Sequence, residues 1–152
     1  MTHADDEKYM RLAIEQAEIA GRIGEVPIGA VIVDKSQRVV SRAHNLREST
    51  NDPTAHAEII AIKKAGEKLG SWRLDGTTIY VTVEPCVMCI GAIVLARTSR
   101  LVFGTRDPKA GAVVSVYKIG SDGKLNHKIE YTEGVSMSDC SNLLKDFFKS
   151  LR

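Results

Sequence analysis

The sequence predicts an α/β fold with three α/β/α layers, in which a central mixed five-stranded sheet carries helices on both of its faces. Apolar residues recur at strand spacing in five segments and at helix spacing in four. The first two strands follow each other directly, which predicts a hairpin, whereas helices separate most of the later strands, which predicts parallel neighbours. With 152 residues, 43% of them hydrophobic, the chain suits a single domain spanning residues 1–152.

Local signals place the boundaries of these elements. The predicted order is helix 5–23, strand 26–33, strand 38–43, helix 54–69, strand 77–83, helix 86–97, strand 100–104, strand 128–132 and helix 138–151. Thr54 is the expected N-cap of the second helix, and Gly70 is its expected end. Residues 112–119 are apolar and fit a helix and a strand equally well. The core face of the last helix is expected to consist of Leu143, Leu144, Phe147, Phe148 and Leu151.

Two short motifs supply the side chains that bind metals. The first is His56-Ala57-Glu58, and the second is Pro85-Cys86-Val87-Met88-Cys89. Two cysteines three residues apart at the start of a helix place both sulfurs on one face. The helix N-terminus also favours the thiolate, which is the form that binds a metal. If the strands that precede the two helices lie in one sheet, the histidine and both cysteines converge at the same sheet edge.

Three protein ligands indicate a catalytic zinc site, because structural zinc sites usually have four and catalytic sites keep one position for water. The third cysteine, Cys140, lies among apolar residues of the last helix and is expected to be a small buried hydrophobe. Glu58 is two residues from His56, so on a helix the two side chains point in different directions. We therefore expect Glu58 to take a proton from a zinc-activated water and to return it to a leaving group.

Several alternatives are open at this point. A C-x-x-C motif can form a redox pair, although the thioredoxin-like motif follows the first strand of its unit and needs no upstream His-x-Glu. Residues 97–128 hold an excess of cations, which indicates either a face for a polyanion or an ordinary solvated surface. These cations are Arg97, Arg100, Arg106, Lys109, Lys118, Lys124 and Lys128.

The sequence contains no sign of secretion or of a membrane. Its N-terminus is polar and acidic, and no apolar run approaches the ~20 residues of a membrane span. Three cysteines do not make a disulfide framework. We expect a cytoplasmic protein that does not associate with membranes.

The two motifs together resemble the zinc-dependent nucleoside and nucleobase deaminases, whose signature is H-x-E followed by P-C-x-x-C. A more extended similarity links the chain to the bacterial tRNA-specific adenosine deaminases. The similar segments are residues 25–31, 45, 52–58, 80–89, 102–107, 126–127 and 146–148. The resemblance implies a cytidine deaminase-like fold, a homodimer, and conversion of the wobble adenosine of a tRNA anticodon stem-loop to inosine.

The resemblance also implies roles for individual residues. His56, Cys86 and Cys89 hold one Zn²⁺ per subunit, and Glu58 is the proton shuttle. The residues implied to contact the substrate are Asn45, Ala57, Val26, Ile28, Arg106, Asp107, Lys109 and Phe148. In such enzymes the first four surround the flipped base, and the others meet the anticodon backbone and the neighbouring nucleotides.

Some of these residues have a second interpretation. Asp107 is suited to accept a hydrogen bond from a ribose 2′-OH, but before Pro108 it is also suited to cap a turn. Phe147 and Phe148 are adjacent and cannot both face one core, which makes one of them available for stacking on a base; alternatively, both are partly buried.

The chain departs from the family pattern in two places, and rival functions are open. Ile90 replaces a small residue, which we expect to change the packing near a dimer contact, and the basic tail is reduced to Arg152. The nearest rival is a free-base or nucleoside deaminase of the guanine or cytosine type. A non-catalytic, zinc-stabilised RNA-binding module is a rival from a different class.

Overall fold

A computed structural model describes residues 2–151 and confirms the predicted three-layer α/β/α fold. Met1 and Arg152, and with Arg152 the short basic tail, lie outside the described residues. In chain order the elements are α1 His3–Arg22, β1 Gly29–Val33, β2 Val39–His44, α2 Ala57–Leu69, β3 Thr78–Val83, α3 Val87–Leu95, β4 Arg100–Thr105, β5 Glu130–Glu133 and α4 Met137–Ser150. None of these helices is both long and apolar enough to cross a membrane.

The five strands form one mixed sheet in the order β2-β1-β3-β4-β5. Strand β1 is antiparallel to both of its neighbours, and β3, β4 and β5 are mutually parallel. The predicted hairpin and the predicted parallel strands are therefore both confirmed. Because β2, β3 and β4 all run in the same direction, the segments that follow them leave the sheet at one edge.

The sheet is buried on both faces, and its side chains alternate between two cores. Ile32, Val81 and Phe103 belong to the core under α2 and α3. Val33 and Val102 belong to the core under α1 and α4. Burial on both faces explains why these strands are continuous apolar runs in the sequence.

The approach of α1 to the sheet depends on a glycine at the start of β1. A Cβ atom on Gly29 would lie 2.0 Å from the Ala13 carbonyl oxygen and 2.5 Å from the Ala17 nitrogen. Both of these are backbone atoms in the middle of α1, so they cannot move away without bending the helix. A residue without a side chain is therefore required here.

Helix α2 begins three residues later than predicted, and the prediction of Thr54 as its N-cap is wrong. The N-cap is His56. The Thr54 backbone nitrogen and hydroxyl both donate to Oδ1 of Asp52, at 2.8 and 2.7 Å. Asp52 thus holds residues 52–54 in a local turn that competes with the helix.

The ambiguous segment 112–119 forms neither a helix nor a strand. Ala112 and Val113 are buried as their apolar character suggests. However, the backbone N–H groups of residues 113–115 donate to the side-chain carboxylate of Glu84, not to a helix or a neighbouring strand. A side-chain acceptor on another element thus takes the place of regular secondary structure.

The predicted core face of α4 is only partly correct. Leu143, Leu144 and Phe147 are half-buried, and Cys140 is fully buried, as expected of a small hydrophobe. Phe148 and Leu151 are 48% and 68% exposed. Helix α4 covers the sheet near β4 and β3 and otherwise meets only α1, so the rest of its surface has no packing partner among the described elements.

Ile90 lies in the core beneath α3. Its side chain is fully buried together with Val94 and Ile129. The expected packing change near a dimer contact stays a prediction.

We predict that Gly29→Ala lowers the free energy of unfolding by about 2 kcal/mol, because the new methyl group overpacks the contact between α1 and β1. Denaturant unfolding followed by circular dichroism measures this difference. Gly21→Ala is the matched control. Gly21 lies in α1, and a Cβ atom there would make an ordinary 3.6 Å contact with Pro27. The control should be neutral or more stable by up to about 1 kcal/mol. Equal stabilities of the two variants would contradict the proposed close packing.

Candidate active site

Three metal-binding side chains meet where the two helices α2 and α3 begin. His56 is the N-cap of α2, Cys86 is the N-cap of α3, and Cys89 lies in the first turn of α3. Neither N-cap side chain makes a capping hydrogen bond. The parallel direction of β2 and β3 brings both helix N-termini to one sheet edge, which confirms the predicted convergence of these residues.

The spacing of the donor atoms suits tetrahedral zinc. His56 Nδ1 lies 3.7 Å from Cys86 Sγ and 3.5 Å from Cys89 Sγ, and all three donor atoms are within 4.8 Å of one another. Zn–N and Zn–S bonds of about 2.0 and 2.3 Å at tetrahedral angles place N and S about 3.5 Å apart. Among residues 2–151 this is the one group of its kind. Imidazole with two thiolates is also a donor set that zinc prefers.

The two cysteines differ strongly in acidity. Hydrogen bonds from Cys89 and His56 lower the pKa of Cys86 to about 4. The pKa of Cys89 is raised, because it donates to the Cys86 thiolate and is buried. Among these protein groups alone, Cys86 thus carries the negative charge, and it is available as a thiolate at neutral pH.

Glu58 lies beside this donor set but is not one of its members. It is in the first turn of α2 and is almost completely buried. Burial raises the pKa of Glu58 to about 7, and the negative charge of Cys86 acts in the same direction. A carboxyl group with such a pKa can accept and release a proton at neutral pH.

A cavity of about 220 Å³ opens at these residues. Its walls are Val26, Ile28, Asn45, Arg47, His56, Ala57, Glu58, Val83, Glu84, Cys86, Asp107 and Ala110. Eight residues that the sequence singled out thus line one cavity, while Cys89 is buried behind its wall.

The amide group of Asn45 is held in one orientation. Its Nδ2 donates to the Val26 carbonyl oxygen at 3.3 Å, and its Oδ1 accepts from the Arg47 backbone nitrogen at 3.1 Å. Each of these contacts uses one of the two hydrogen-bonding positions that an amide oxygen or nitrogen offers. One donor position and one acceptor position remain, so Asn45 is suited to contact a base edge without rotating.

The remaining predicted residues lie in a second recess of about 410 Å³ beside the cavity. Arg106, Lys109 and Phe148 line it, together with Pro108 and Leu144. Val26, Ile28, Val83 and Asp107 line both spaces. The structure therefore separates the predicted substrate residues into an inner group at the donor set and an outer group at the recess.

Not all of the predicted cationic surface is available to a polyanion. Arg100 is only 23% exposed and forms a double hydrogen bond with buried Asp6, at 2.8 and 2.7 Å. Arg106 pairs in the same way with Glu133, at 2.7 and 3.1 Å. Arg100 is thus a structural cation, and an anion at the recess must compete with Glu133 for Arg106.

Asp107 caps a turn, which was the second interpretation of this residue. Its Oδ1 accepts from the backbone nitrogens of Lys109 and Ala110, at 3.0 and 3.2 Å. The second carboxylate oxygen of Asp107 does not take part in this cap. Its contact with a ribose hydroxyl stays a prediction.

The sequence analysis missed two buried carboxylates next to the cavity. Glu84 follows β3 and accepts hydrogen bonds from residues 107 and 113–115. Glu25 accepts from the backbone nitrogens of Glu48 and Ser49, at 3.1 and 2.6 Å, and from the Ser49 hydroxyl. The available signal was an acidic residue directly beside a fully apolar strand, where an unpaired charge would be very unfavourable.

Comparison with known proteins agrees with this site. The family model of the MafB19-like deaminases matches residues 4–152. The tRNA-specific adenosine deaminase of Bacillus subtilis is 46% identical over 147 residues, which cover 97% of this chain and 91% of that protein.

Solved structures give the same result. A structure from a study of A-to-I editing by tRNA:A34 deaminases at the wobble position of transfer RNA has a TM-score of 0.86 and 44% identity, and the match covers 90% of this chain and 99% of that one. A guanine deaminase from Bacillus subtilis matches less extensively, with a TM-score of 0.64 and 37% identity over 70% of this chain and 66% of that one. The chain therefore belongs to the MafB19-like deaminase family, among the tRNA-specific adenosine deaminases.

Proposed function

We propose that this protein is an enzyme that converts adenosine to inosine at the wobble position of a tRNA anticodon by hydrolysis. The observation that carries this proposal is the buried Glu58 beside a His/Cys/Cys donor set in a cavity of about 220 Å³. Pockets for drug-sized ligands measure roughly 300–1,000 Å³, so the cavity suits one flipped base. The similarity to tRNA-specific adenosine deaminases along nearly the whole chain supports the choice of base and of RNA.

The metal is proposed to be one Zn²⁺ per subunit, held by His56, Cys86 and Cys89. Zinc at that place supplies a Lewis acid that makes water a nucleophile at neutral pH. The 3.5 and 3.7 Å separations of the nitrogen and sulfur atoms support this assignment.

The chain's own residues orient the base and move the proton. Val26 and Ile28 form apolar walls that exclude bulk water, and the fixed Asn45 amide and the Ala57 backbone hold the base edge. Glu58 takes a proton from the attacking water and delivers it to the ring nitrogen beside the attacked carbon. It then moves the proton of the added hydroxyl group to the amino group, so that the carbon–nitrogen bond breaks, ammonia leaves and a carbonyl group remains. A pKa of about 7 allows Glu58 to do both within one turnover.

The outer recess is proposed to hold the nucleotides beside the flipped base. Lys109 supplies a cation for a phosphate, and the exposed ring of Phe148 supplies a surface for stacking. Arg106 contacts the RNA backbone by exchanging Glu133 for a phosphate. Asp107 is proposed to accept from a ribose hydroxyl through the oxygen that does not cap the turn. As an enzyme of tRNA, the protein is proposed to work in the cytoplasm as one domain spanning residues 1–152.

The outer face of α3 supports the proposed homodimer. Val87 and Leu95 are 52% and 68% exposed, and the residues between them on this face are Met88, Gly91 and Ala92. No charged residue interrupts this surface, and nothing lies within 4 Å of a Cβ built on Gly91. An uninterrupted apolar helix face is typical of a surface that a partner subunit covers.

The rival is a deaminase of free bases, which the 37% identity to a guanine deaminase supports. The cavity alone suits either substrate. The recess favours RNA, because a free base would leave the cation and the aromatic ring of the recess without a role. A non-catalytic RNA-binding module needs no buried carboxyl group beside a three-ligand metal site.

We predict that the zinc-loaded protein forms inosine in an anticodon stem-loop with a wobble adenosine, and does so far faster than it deaminates free guanine, cytosine or cytidine. Nucleoside analysis of digested RNA and ammonia release measure the two activities.

Glu58→Ala should retain zinc and fold, but its deamination rate should fall at least about a hundredfold, because the proton carrier is gone. Turnover of free bases alone would reject tRNA as the substrate, and an active Glu58→Ala variant would reject the role of Glu58.

Cys86→Ala should lose its zinc, because two of the three donors hold the ion poorly, and its activity should disappear with the metal. Metal analysis of the purified protein after dialysis measures zinc per chain. Cys140→Ala is the matched control, since Cys140 is buried on the opposite face of the sheet, and this variant should keep one zinc ion. Full zinc content in Cys86→Ala would remove this residue from the ligand set.

We expect Leu95→Asp to weaken the homodimer at least tenfold, because it places a charge on the otherwise uncharged outer face of α3. Sedimentation velocity over a concentration series measures the dissociation constant. Ile23→Asp changes an apolar residue of similar exposure at the end of α1 and should leave the dimer intact. A monomeric parent protein, or equal dissociation constants, would refute the assignment of this face.

A further inference from the structure

We propose that Glu84 is a positioning residue. It joins residues 107–115, here named the 107–115 loop, which form the outer wall of the cavity, to the turn that carries Cys86. The inference deepens the proposed function and rests on it for the identity of the RNA. It concerns how the substrate-contacting loop is held at a constant distance from the metal-binding side chains.

The Glu84 carboxylate accepts hydrogen bonds from donors at both ends of the 107–115 loop. Oε1 of Glu84 accepts from the Asp107 nitrogen at 3.1 Å and from the Ser115 hydroxyl. Oε2 accepts from the backbone nitrogens of Val113, Val114 and Ser115, at 3.0, 2.8 and 3.0 Å. Four backbone N–H groups and one hydroxyl therefore converge on a single side chain.

The loop has no regular secondary structure that could satisfy these donors. Residues 113–115 are buried or half-buried, so N–H groups that lost Glu84 would have little access to water. Glu84 itself is only 3% exposed. Both carboxylate oxygens of Glu84 face donors only, and hydrogen bonds from N–H and O–H groups to a carboxylate are of the strong, charge-assisted kind.

Glu84 also belongs to the backbone that presents the metal ligands. It stands two residues before Cys86, and its own nitrogen donates to the Thr105 carbonyl oxygen at 2.8 Å. The Ala112 nitrogen donates to the carbonyl oxygen of Pro85 at 2.9 Å. The loop is therefore tied to the ligand-bearing turn through both the side chain and the backbone.

The loop supplies part of the cavity and part of the recess. Asp107 and Ala110 line the cavity, and Lys109 lines the recess. A displacement of the loop would move these side chains relative to Cys86, which lines the same cavity. Anchoring by Glu84 thus fixes the distance between the groups that hold RNA and the groups that hold the metal.

Gly111 provides an independent means to disturb this anchor. A Cβ atom on Gly111 would lie 2.3–2.5 Å from the three atoms of the Glu84 carboxylate group. Gly111 does not have a left-handed backbone conformation, so alanine is disfavoured there by the carboxylate and not by backbone strain. Gly111→Ala should therefore displace the Glu84 carboxylate without removing it.

Glu25 does not line the cavity and is a matched control for Glu84. It is buried to a similar extent, and it anchors Glu48 and Ser49 through the same kind of hydrogen bonds. Glu25→Gln should loosen residues 46–51 and leave the 107–115 loop unchanged. The two carboxylates thus allow a local effect to be distinguished from a general loss of stability.

The experiment uses the full-length, zinc-loaded protein in a Glu58→Ala background, so that RNA affinity is measured without turnover. Glu84→Gln is added because glutamine has nearly the same size as glutamate but replaces one acceptor oxygen with an NH2 group. This group cannot accept hydrogen bonds from the donors of the loop. Hydrogen exchange of the 107–115 loop should become at least about tenfold faster, which corresponds to ~1.4 kcal/mol and is close to the lower end of the range for hydrogen bonds to a charged group. Zinc content should be unchanged, and the Kd for the anticodon stem-loop should rise about tenfold.

Two milder variants make the test robust if Glu84→Gln folds poorly. Gly111→Ala should give the same local pattern of exchange. Ser115→Ala removes one of the five donors and should accelerate exchange to a smaller extent. Exchange in β3 and β4 should remain slow in all three variants. If Glu84 only stabilised the fold as a whole, exchange in these two strands would become faster as well.

Unchanged exchange of the 107–115 loop in Glu84→Gln and Gly111→Ala would overturn the proposal, and so would equal acceleration in β3 and β4. A loosened loop with an unchanged Kd would overturn the positioning role. Failure of the Glu58→Ala parent to bind the stem-loop would contradict the proposed tRNA substrate instead. The anchoring of the loop would then still be decided by the exchange rates alone.

Discussion

The candidate site depends on the meeting of two helix N-termini at one edge of the sheet. Strand β1 lies between β2 and β3 and is antiparallel to both, so the chain leaves β2 and β3 in the same direction. Helices α2 and α3 then begin side by side, with His56 and Cys86 as their N-caps. If β2 and β3 ran in opposite directions, these two side chains would lie at opposite edges of the sheet. Strand β4 leaves at the same edge, which adds the 107–115 loop to the site.

Negative charges are concentrated at this edge, and each has a particular set of partners. The Cys86 thiolate accepts from Cys89 and His56, at the N-terminus of α3. Glu84 accepts from backbone N–H groups, which keep it ionised. Glu58 has fewer favourable partners and is almost completely buried, so its pKa rises to about 7. Two buried carboxyl groups that line one cavity thus acquire different protonation behaviour, which suits one to the proposed proton transfer and the other to holding a loop.

The sequence predicted the site better than it predicted local boundaries. His-x-Glu and Pro-Cys-x-x-Cys carry their chemistry in residue types and spacing, and both are short enough to be read without the fold. Boundaries failed where a side chain competed with the backbone. The Asp52 carboxylate accepts hydrogen bonds from Thr54, so α2 begins later than predicted. The Glu84 carboxylate accepts hydrogen bonds from the N–H groups of residues 113–115, so this apolar segment is a loop. The contacts of Glu84 join residues about 30 positions apart, which no local pattern predicts, whereas the contact of Asp52 with Thr54 is a local turn that competes with the helix.

The sequence by itself predicted the His/Cys/Cys donor set, the position of Glu58 apart from it and the α/β class. These follow from residue chemistry and from the periodicity of apolar residues, both of which are local properties. Only the tertiary structure decided that Arg100 is engaged by Asp6, that Phe148 faces the recess, and that Ile90 faces the core. It also revealed the two carboxylate anchors, Glu25 and Glu84. The physical reason is that burial and hydrogen-bond partners depend on which elements pack together. Residues such as Asp6 and Arg100, which are 94 positions apart in the chain, become neighbours only in the folded protein.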